Sequence, residues 1–198
     1  MRTGPLPTMP EPERDNRRVA ILISGRGSNM RALVEQAEGY EVVLIASNKP
    51  LAAGIDWARG RGLQAWALDS KGIDKEQFDR LLSATFDSYG VGTIALAGFM
   101  RILSPWFVEE WRGRIINIHP SLLPKYRGLD THARALEAGD TVAGCSVHVV
   151  TEELDAGEVL GQAEVPIEAG DTVESLEARV LAAEHALYPR VMKEFVRR

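Results

Sequence analysis

A chain of 198 residues can bury one continuous core, and its 45% apolar and 26% charged content is that of an ordinary globular protein. The formal net charge of −5 at pH 7 argues against a general nucleic-acid surface, which would be basic, while leaving room for one local anion site. The lone cysteine, Cys145, excludes an internal disulfide and a cysteine-based metal site. No apolar run reaches the ~18 residues that span a bilayer. The N-terminus lacks the apolar centre of a signal peptide, so the expectation is a cytoplasmic protein with no membrane partner.

Residues 1–17 carry Pro5, Pro7, Pro10 and Pro12 among mixed charges and are expected to form a disordered tail. Residues 18–198 contain no repeat or linker and are expected to form a single domain. Val19–Ile23 is an unbroken apolar run, the pattern of a strand buried on both faces. Ser24-Gly25-Arg26-Gly27-Ser28-Asn29 follows, and then Met30, Leu33, Val34 and Ala37 recur at helical spacing, with Gly39 as the stop. Strand, glycine loop and helix start make a cradle for an anion, where free amides and the helix dipole favour negative charge. The loop is neither a dinucleotide fingerprint nor a Walker loop: Met30 holds the third glycine position and no Gly-Lys-Ser/Thr ending is present.

Val42–Ala46 reads as a second strand, residues 52–59 as a helix and Ala65–Leu68 as a short third strand. Asp74 with Gln77 resembles a capping box, and Phe78, Leu81, Leu82 and Phe86 mark the core face of the helix it opens. Thr93–Ala97 is a fourth strand. Phe99-Met100-Arg101-Ile102-Leu103 is an apolar loop with one cation, and Ser104-Pro105 is a cap followed by a first-turn proline. Ligands of open α/β sheets bind outside the carboxyl ends of strands, which is where this loop leaves.

Ile115-Ile116 opens a fifth strand that runs into Asn117-Ile118-His119-Pro120-Ser121-Leu122-Leu123-Pro124. Alternation puts Asn117 and His119 on one face. An amide donor beside an imidazole can grip a single oxygen, and histidine is the side chain most easily set to carry a proton near neutral pH. A helix over 131–138 follows, then strands over 141–150 and 159–167, with Pro166 at an edge or strand end. His148 lies within the first of these and reads as structural, and Glu152–Gly157 reads as an acidic turn. Asp171 with Glu174 is a box-like start to a last helix that Pro189 should kink or restart. The expected fold is α/β: a doubly wound, mostly parallel seven-stranded sheet with helices on both faces.

The motifs Leu22–Asn29, Ser47-Asn48-Lys49, Leu96–Pro105, Asn117–Tyr126, Ser146-Val147-His148, Leu154–Gly157 and Glu184–Pro189 together resemble the glycinamide ribonucleotide transformylases, folate-dependent formyltransferases of purine synthesis. The likeness runs over residues 18–192, in order and at compatible spacing. It implies transfer of a formyl group from 10-formyltetrahydrofolate to the amine of glycinamide ribonucleotide, with small-molecule partners, no metal, and a monomer or homodimer. By similarity Asn117, His119 and Asp155 are the catalytic trio. Gly27, Ser28 and Asn29 hold the ribonucleotide phosphate, and Glu184 its ribose hydroxyls. Met100, Arg101, Ile102 and Leu103, with Asn117, line the folate site, largely through backbone groups.

The chemistry suits those residue types. An amine attacking a formyl carbonyl gives a tetrahedral intermediate with oxyanion charge, to which protonated His119 and the Asn117 amide would donate. A carboxylate such as Asp155 favours the charged ring and can relay a proton from the attacking amine to the departing folate nitrogen. The Asn-x-His-Pro-Ser-Leu-Leu-Pro element is shared with other formyltransferases. A methionyl-tRNA formyltransferase would carry a further C-terminal domain, and a formyltetrahydrofolate hydrolase an upstream regulatory one. A nonenzymatic nucleotide-binding domain would need the glycine loop without the trio.

Overall fold

The computed structural model describes residues 13–198, and residues 1–12 of the tail expected over residues 1–17 lie outside the described residues. β1 (Asp15–Ile23) starts upstream of the domain edge expected at residue 18, so residues 15–17 belong to the sheet and not to the tail. There Arg17 bonds Asp15 and the Asn16 carbonyl accepts from the Thr93 hydroxyl, which gives these polar residues partners.

The chain continues through α1 (Ser28–Glu35), β2 (Glu41–Ser47), α2 (Ala53–Gly60), β3 (Ala65–Ala67), α3 (Lys75–Ser88), β4 (Val91–Leu96) and α4 (Pro105–Glu110). It ends through β5 (Ile115–His119), α5 (Thr131–Glu137), β6 (Val142–Val149), β7 (Val159–Pro166) and α6 (Val173–Phe195). The seven strands form one sheet in the order β3-β2-β1-β4-β5-β6-β7. β3 to β5 are parallel, and β6 and β7 add antiparallel. The chain reverses its direction of travel across the sheet between β1 and β4, so the loops that follow these strands flank a crevice.

Side chains alternate between two cores. Val19, Ile21 and Ile23 of β1 pack with Met30, Leu33, Ile55, Leu187 and Tyr188 under α1, α2 and α6. Ala20 and Leu22 pack with Phe78, Leu82, Phe86, Phe107 and Trp111 under α3 and α4. Helices therefore cover both faces, as a parallel sheet requires. Cys145 is fully buried, and burial pushes its thiol up to about 12.

Asp74 caps α3 by accepting from the amides of Glu76 and Gln77, and Ser104 caps α4 ahead of Pro105. Leu81 departs from its expected core position and is half exposed, outside the stripe of Phe78, Leu82 and Phe86. The cap of α6 is Thr172, in a reciprocal box with Ser175, one residue beyond the expected Asp171. Asp171 is engaged instead by the Arg179 guanidinium. α6 runs through Pro189 without restarting. The carbonyl of His185, which a proline at 189 leaves without its helical donor, accepts from Gln36 Nε2 on the turn after α1, at 3.1 Å. One side chain thus repairs the break that the proline makes.

Candidate active site

β5 and β6 are paired antiparallel with Asn117 opposite His148, so the two side chains share a face. Asn117 Nδ2 lies 3.2 Å from His148 Nε2, and His148 Nδ1 lies 3.0 Å from the Val149 carbonyl oxygen. At the end of β5, His119 Nε2 is 2.9 Å from the Tyr126 carbonyl oxygen and Nδ1 is 3.5 Å from Asp155 Oδ2. Asp155 reaches the cluster from the turn between β6 and β7, on a left-handed backbone (φ 49). Gly157 makes this placement possible, because a Cβ there would sit 1.9 Å from the Val149 carbonyl oxygen.

Asp155 Oδ2 also accepts from the Gly128 amide at 2.9 Å, and Oδ1 is 3.5 Å from His148 Nε2. His119, His148 and Asp155 are 5%, 2% and 8% exposed, so little water screens their charges. Burial pushes the Asp155 carboxyl up, but the His148 and Gly128 contacts and both imidazoles oppose it, and the group lies below the ordinary carboxylate value. The surroundings of His119 offer only acceptors, a carbonyl at one ring nitrogen and a carboxylate at the other. The ring with a proton on each nitrogen satisfies both. His119, His148 and Asp155 thus form one buried cluster, with the partly buried Asn117 against His148.

The loop expected to cradle an anion opens α1. Gly27, in the left-handed region (φ 72), turns the chain into the helix, and no side chain caps the first amides. Ser28 and Asn29 begin the helix. Asn29 Nδ2 donates to Glu184 Oε2 of α6 at 2.6 Å, which brings two expected substrate residues together across 155 positions of sequence. Burial raises the Glu184 carboxyl. Asn29 Oδ1 is buried without a partner.

The expected folate residues divide. Met100 and Ile102 are each 73% exposed beside the crevice, whereas Leu103 is buried in the α3–α4 core. The Arg101 guanidinium donates to the Ser70 and Ile73 carbonyls and lies over the Phe78 ring. Its side chain braces the loop from behind. Ser24 ties the loops together: its hydroxyl donates to Asn48 Oδ1 (2.6 Å) and accepts from the Met100 amide (2.8 Å), and its amide donates to the Gly98 carbonyl.

Sequence reasoning set His148 aside and passed over Ser24 and the Tyr126 carbonyl. The alternation around His148 carried a usable signal, since it faces the same way as Ser146, but its partner strand was unknown. Among the described residues, no group of three or more His, Cys, Asp or Glu side chains is placed to hold a metal ion, and no helix is long and apolar enough to cross a membrane.

An open doubly wound sheet with an amide, an imidazole and a carboxylate outside its strand ends fits acyl-group transfer. The chain belongs to the formyl transferase family, whose domain model matches residues 17–192, and it is a one-carbon group transferase. It is 47% identical to phosphoribosylglycinamide formyltransferase of Escherichia coli over 89% of this chain and 86% of that protein. The crystal structure of phosphoribosylglycinamide formyltransferase from Brucella melitensis is 46% identical and superposes with a TM-score of 0.86, over 91% of this chain and 95% of that one. The human trifunctional purine biosynthetic protein adenosine-3 is 41% identical over 91% of this chain, which spans 18% of that longer protein.

Proposed function

We propose that this chain is a phosphoribosylglycinamide formyltransferase of purine biosynthesis, moving the formyl group of 10-formyltetrahydrofolate to the amine of glycinamide ribonucleotide. The observation that carries the reading is the approach of Asp155 Oδ2 to His119 Nδ1 at 3.5 Å, beside Asn117, within a family of formyl transferases. Close identity to the Escherichia coli enzyme over most of both chains supports the choice of acceptor.

The residues divide the work as follows. The uncapped start of α1, with Gly27, Ser28 and Asn29, receives the phosphate, and Glu184 holds the ribose hydroxyls. Met100 to Leu103 present the pterin side of the crevice, chiefly through the backbone. The amine nitrogen attacks the formyl carbon, and the carbonyl electron pair moves to oxygen. Protonated His119 and the Asn117 amide donate to that oxyanion in a site where few waters screen them. Asp155 supports the charged ring and passes the proton lost by the amine to N10 of the folate. The carbon–N10 bond then breaks, and formylated ribonucleotide and tetrahydrofolate leave. No step calls for a metal. The partners in this reading are small molecules, and the setting is the cytoplasm.

The test is an assay of purified protein with 10-formyltetrahydrofolate and one of three acceptors: glycinamide ribonucleotide, methionyl-tRNA, or water alone. Ribonucleotide-dependent release of tetrahydrofolate is the expected result. Release at the same rate without the ribonucleotide would reject the assignment.

A further inference from the structure

We propose that His148 is a positioning residue that orients the Asn117 carboxamide, accepting one amide hydrogen and thereby aiming the second at the developing oxyanion. This rests on the formyl-transfer reading above. His148 is 2% exposed and stands opposite Asn117 in the β5–β6 pair. Its Nδ1 is 3.0 Å from the Val149 carbonyl oxygen, which only accepts, so Nδ1 carries a proton. Its Nε2 is 3.2 Å from Asn117 Nδ2, which only donates, so Nε2 presents a lone pair. The neutral ring protonated on Nδ1 is the form that satisfies both contacts. Were the carboxamide turned over, Oδ1 would face that lone pair, acceptor against acceptor. The imidazole thus selects one of the two amide orientations. In that orientation one hydrogen of the Asn117 amide is held by His148 and the other is left for substrate.

Asp155 Oδ1 also lies 3.5 Å from His148 Nε2, a contact that by itself would favour a proton on that nitrogen. Two imidazolium rings around one carboxylate would then leave an uncompensated positive charge in a buried cluster. His119 faces acceptors at both ring nitrogens, whereas His148 faces an amide donor at one.

His148→Gln and His148→Asn provide the test, each made alone and together with Asn117→Ala. The longer Gln side chain can put an oxygen where Nε2 stood, and Asn cannot reach that far. The readouts are kcat for formyl transfer and calorimetric Kd for glycinamide ribonucleotide. His148→Asn is expected to lower kcat by roughly 10- to 100-fold, less than the loss of an oxyanion donor itself. Ribonucleotide Kd should stay unchanged, and His148→Gln should recover most of the rate. In the Asn117→Ala background either substitution should change kcat by less than about twofold, because no amide remains to be oriented.

Losses that multiply in the double variants would overturn the proposal, as would Gln and Asn behaving alike, or a parallel loss of ribonucleotide binding. If His148→Asn does not fold, the cycle of His148→Gln with Asn117→Ala decides the matter. An active wild type with multiplying losses rejects only this assignment. A wild type without ribonucleotide-dependent transfer rejects the functional reading and this assignment with it.

Discussion

Nε2 of His119 and the carbonyl oxygen of Tyr126 are 2.9 Å apart, so a backbone acceptor holds the ring nitrogen that the proposed chemistry needs. Tyr126 adopts a left-handed backbone (φ 54), and its hydroxyl donates to Asp140 at 2.8 Å. The formyl oxygen must take the place of that carbonyl. In a crystal of the protein with a folate analogue bearing a ketone at the formyl position, His119 Nε2 should contact the ketone and the Tyr126 carbonyl should have moved off. An unaltered His119–Tyr126 contact beside a bound analogue would refute the exchange.

His119→Ala should reduce kcat by roughly 100- to 1000-fold, the usual cost of one oxyanion donor, and leave the Kd of glycinamide ribonucleotide almost unchanged. The anion cradle is on α1 and the imidazole is at the end of β5, with β4 between their strands. Calorimetry beside steady-state kinetics separates the two effects. A comparable loss of affinity would assign His119 to ground-state binding.

Asp155→Asn should lower the rate and move the alkaline limb of its pH profile toward acid, since the carboxylate that supports the charged ring is gone. The stability effect has its own sign. The folded-state Asp155 carboxyl lies below its ordinary value, so its contribution is present above the unfolded value and is lost as pH falls through the folded one. Thermal melts of the wild type should therefore fall more on acidification than those of Asp155→Asn.

Asp79 makes the opposite prediction. It is fully buried under the loop that leaves β4, with Oδ2 accepting from the Ser104 amide at 2.6 Å and Oδ1 without a partner. Burial raises its carboxyl despite the Ser104 contacts. Its folded form holds a proton longer than the unfolded chain does, so stability falls as pH rises from the unfolded value through the folded one. Asp79→Asn keeps an acceptor for Ser104 and should melt no lower than wild type at neutral pH. Asp79→Ala strands that amide, which costs about 1–3 kcal/mol. At ~2–4 °C per kcal/mol for a protein of this size, the drop is measurable by calorimetry.

Gly157→Ala tests the turn that delivers Asp155. The new Cβ would clash with the Val149 carbonyl, so the turn must lift. Activity should fall at least tenfold, and the melting temperature should fall as well, because the clash is with backbone that cannot swing aside. A wild-type rate in this variant would mean that Asp155 need not be held where it is.

The strands were legible because a parallel sheet buries both faces, leaving apolar runs such as Val19–Ile23 that need no knowledge of their neighbours. Asp74 and Ser104-Pro105 were legible because capping is local. The trio was an expectation from the family resemblance, and the distances among its members come only from the fold. His148 could not be assigned from alternation, since its meaning depends on lying opposite Asn117, 31 residues away. Pro189 does not restart the helix, and the acceptor it leaves open at His185 is met by Gln36, on a distant turn. In each case a long-range partner decided what the local pattern left open.

The hydroxyl of Ser24 belongs to three loops at once, touching Asn48 and the Met100 amide while its own strand leads into the anion cradle. Without that oxygen, as in Ser24→Ala, the Asn48 carboxamide and the Met100 amide would lose the one atom they share, and the loops after β2 and β4 would part company at that point.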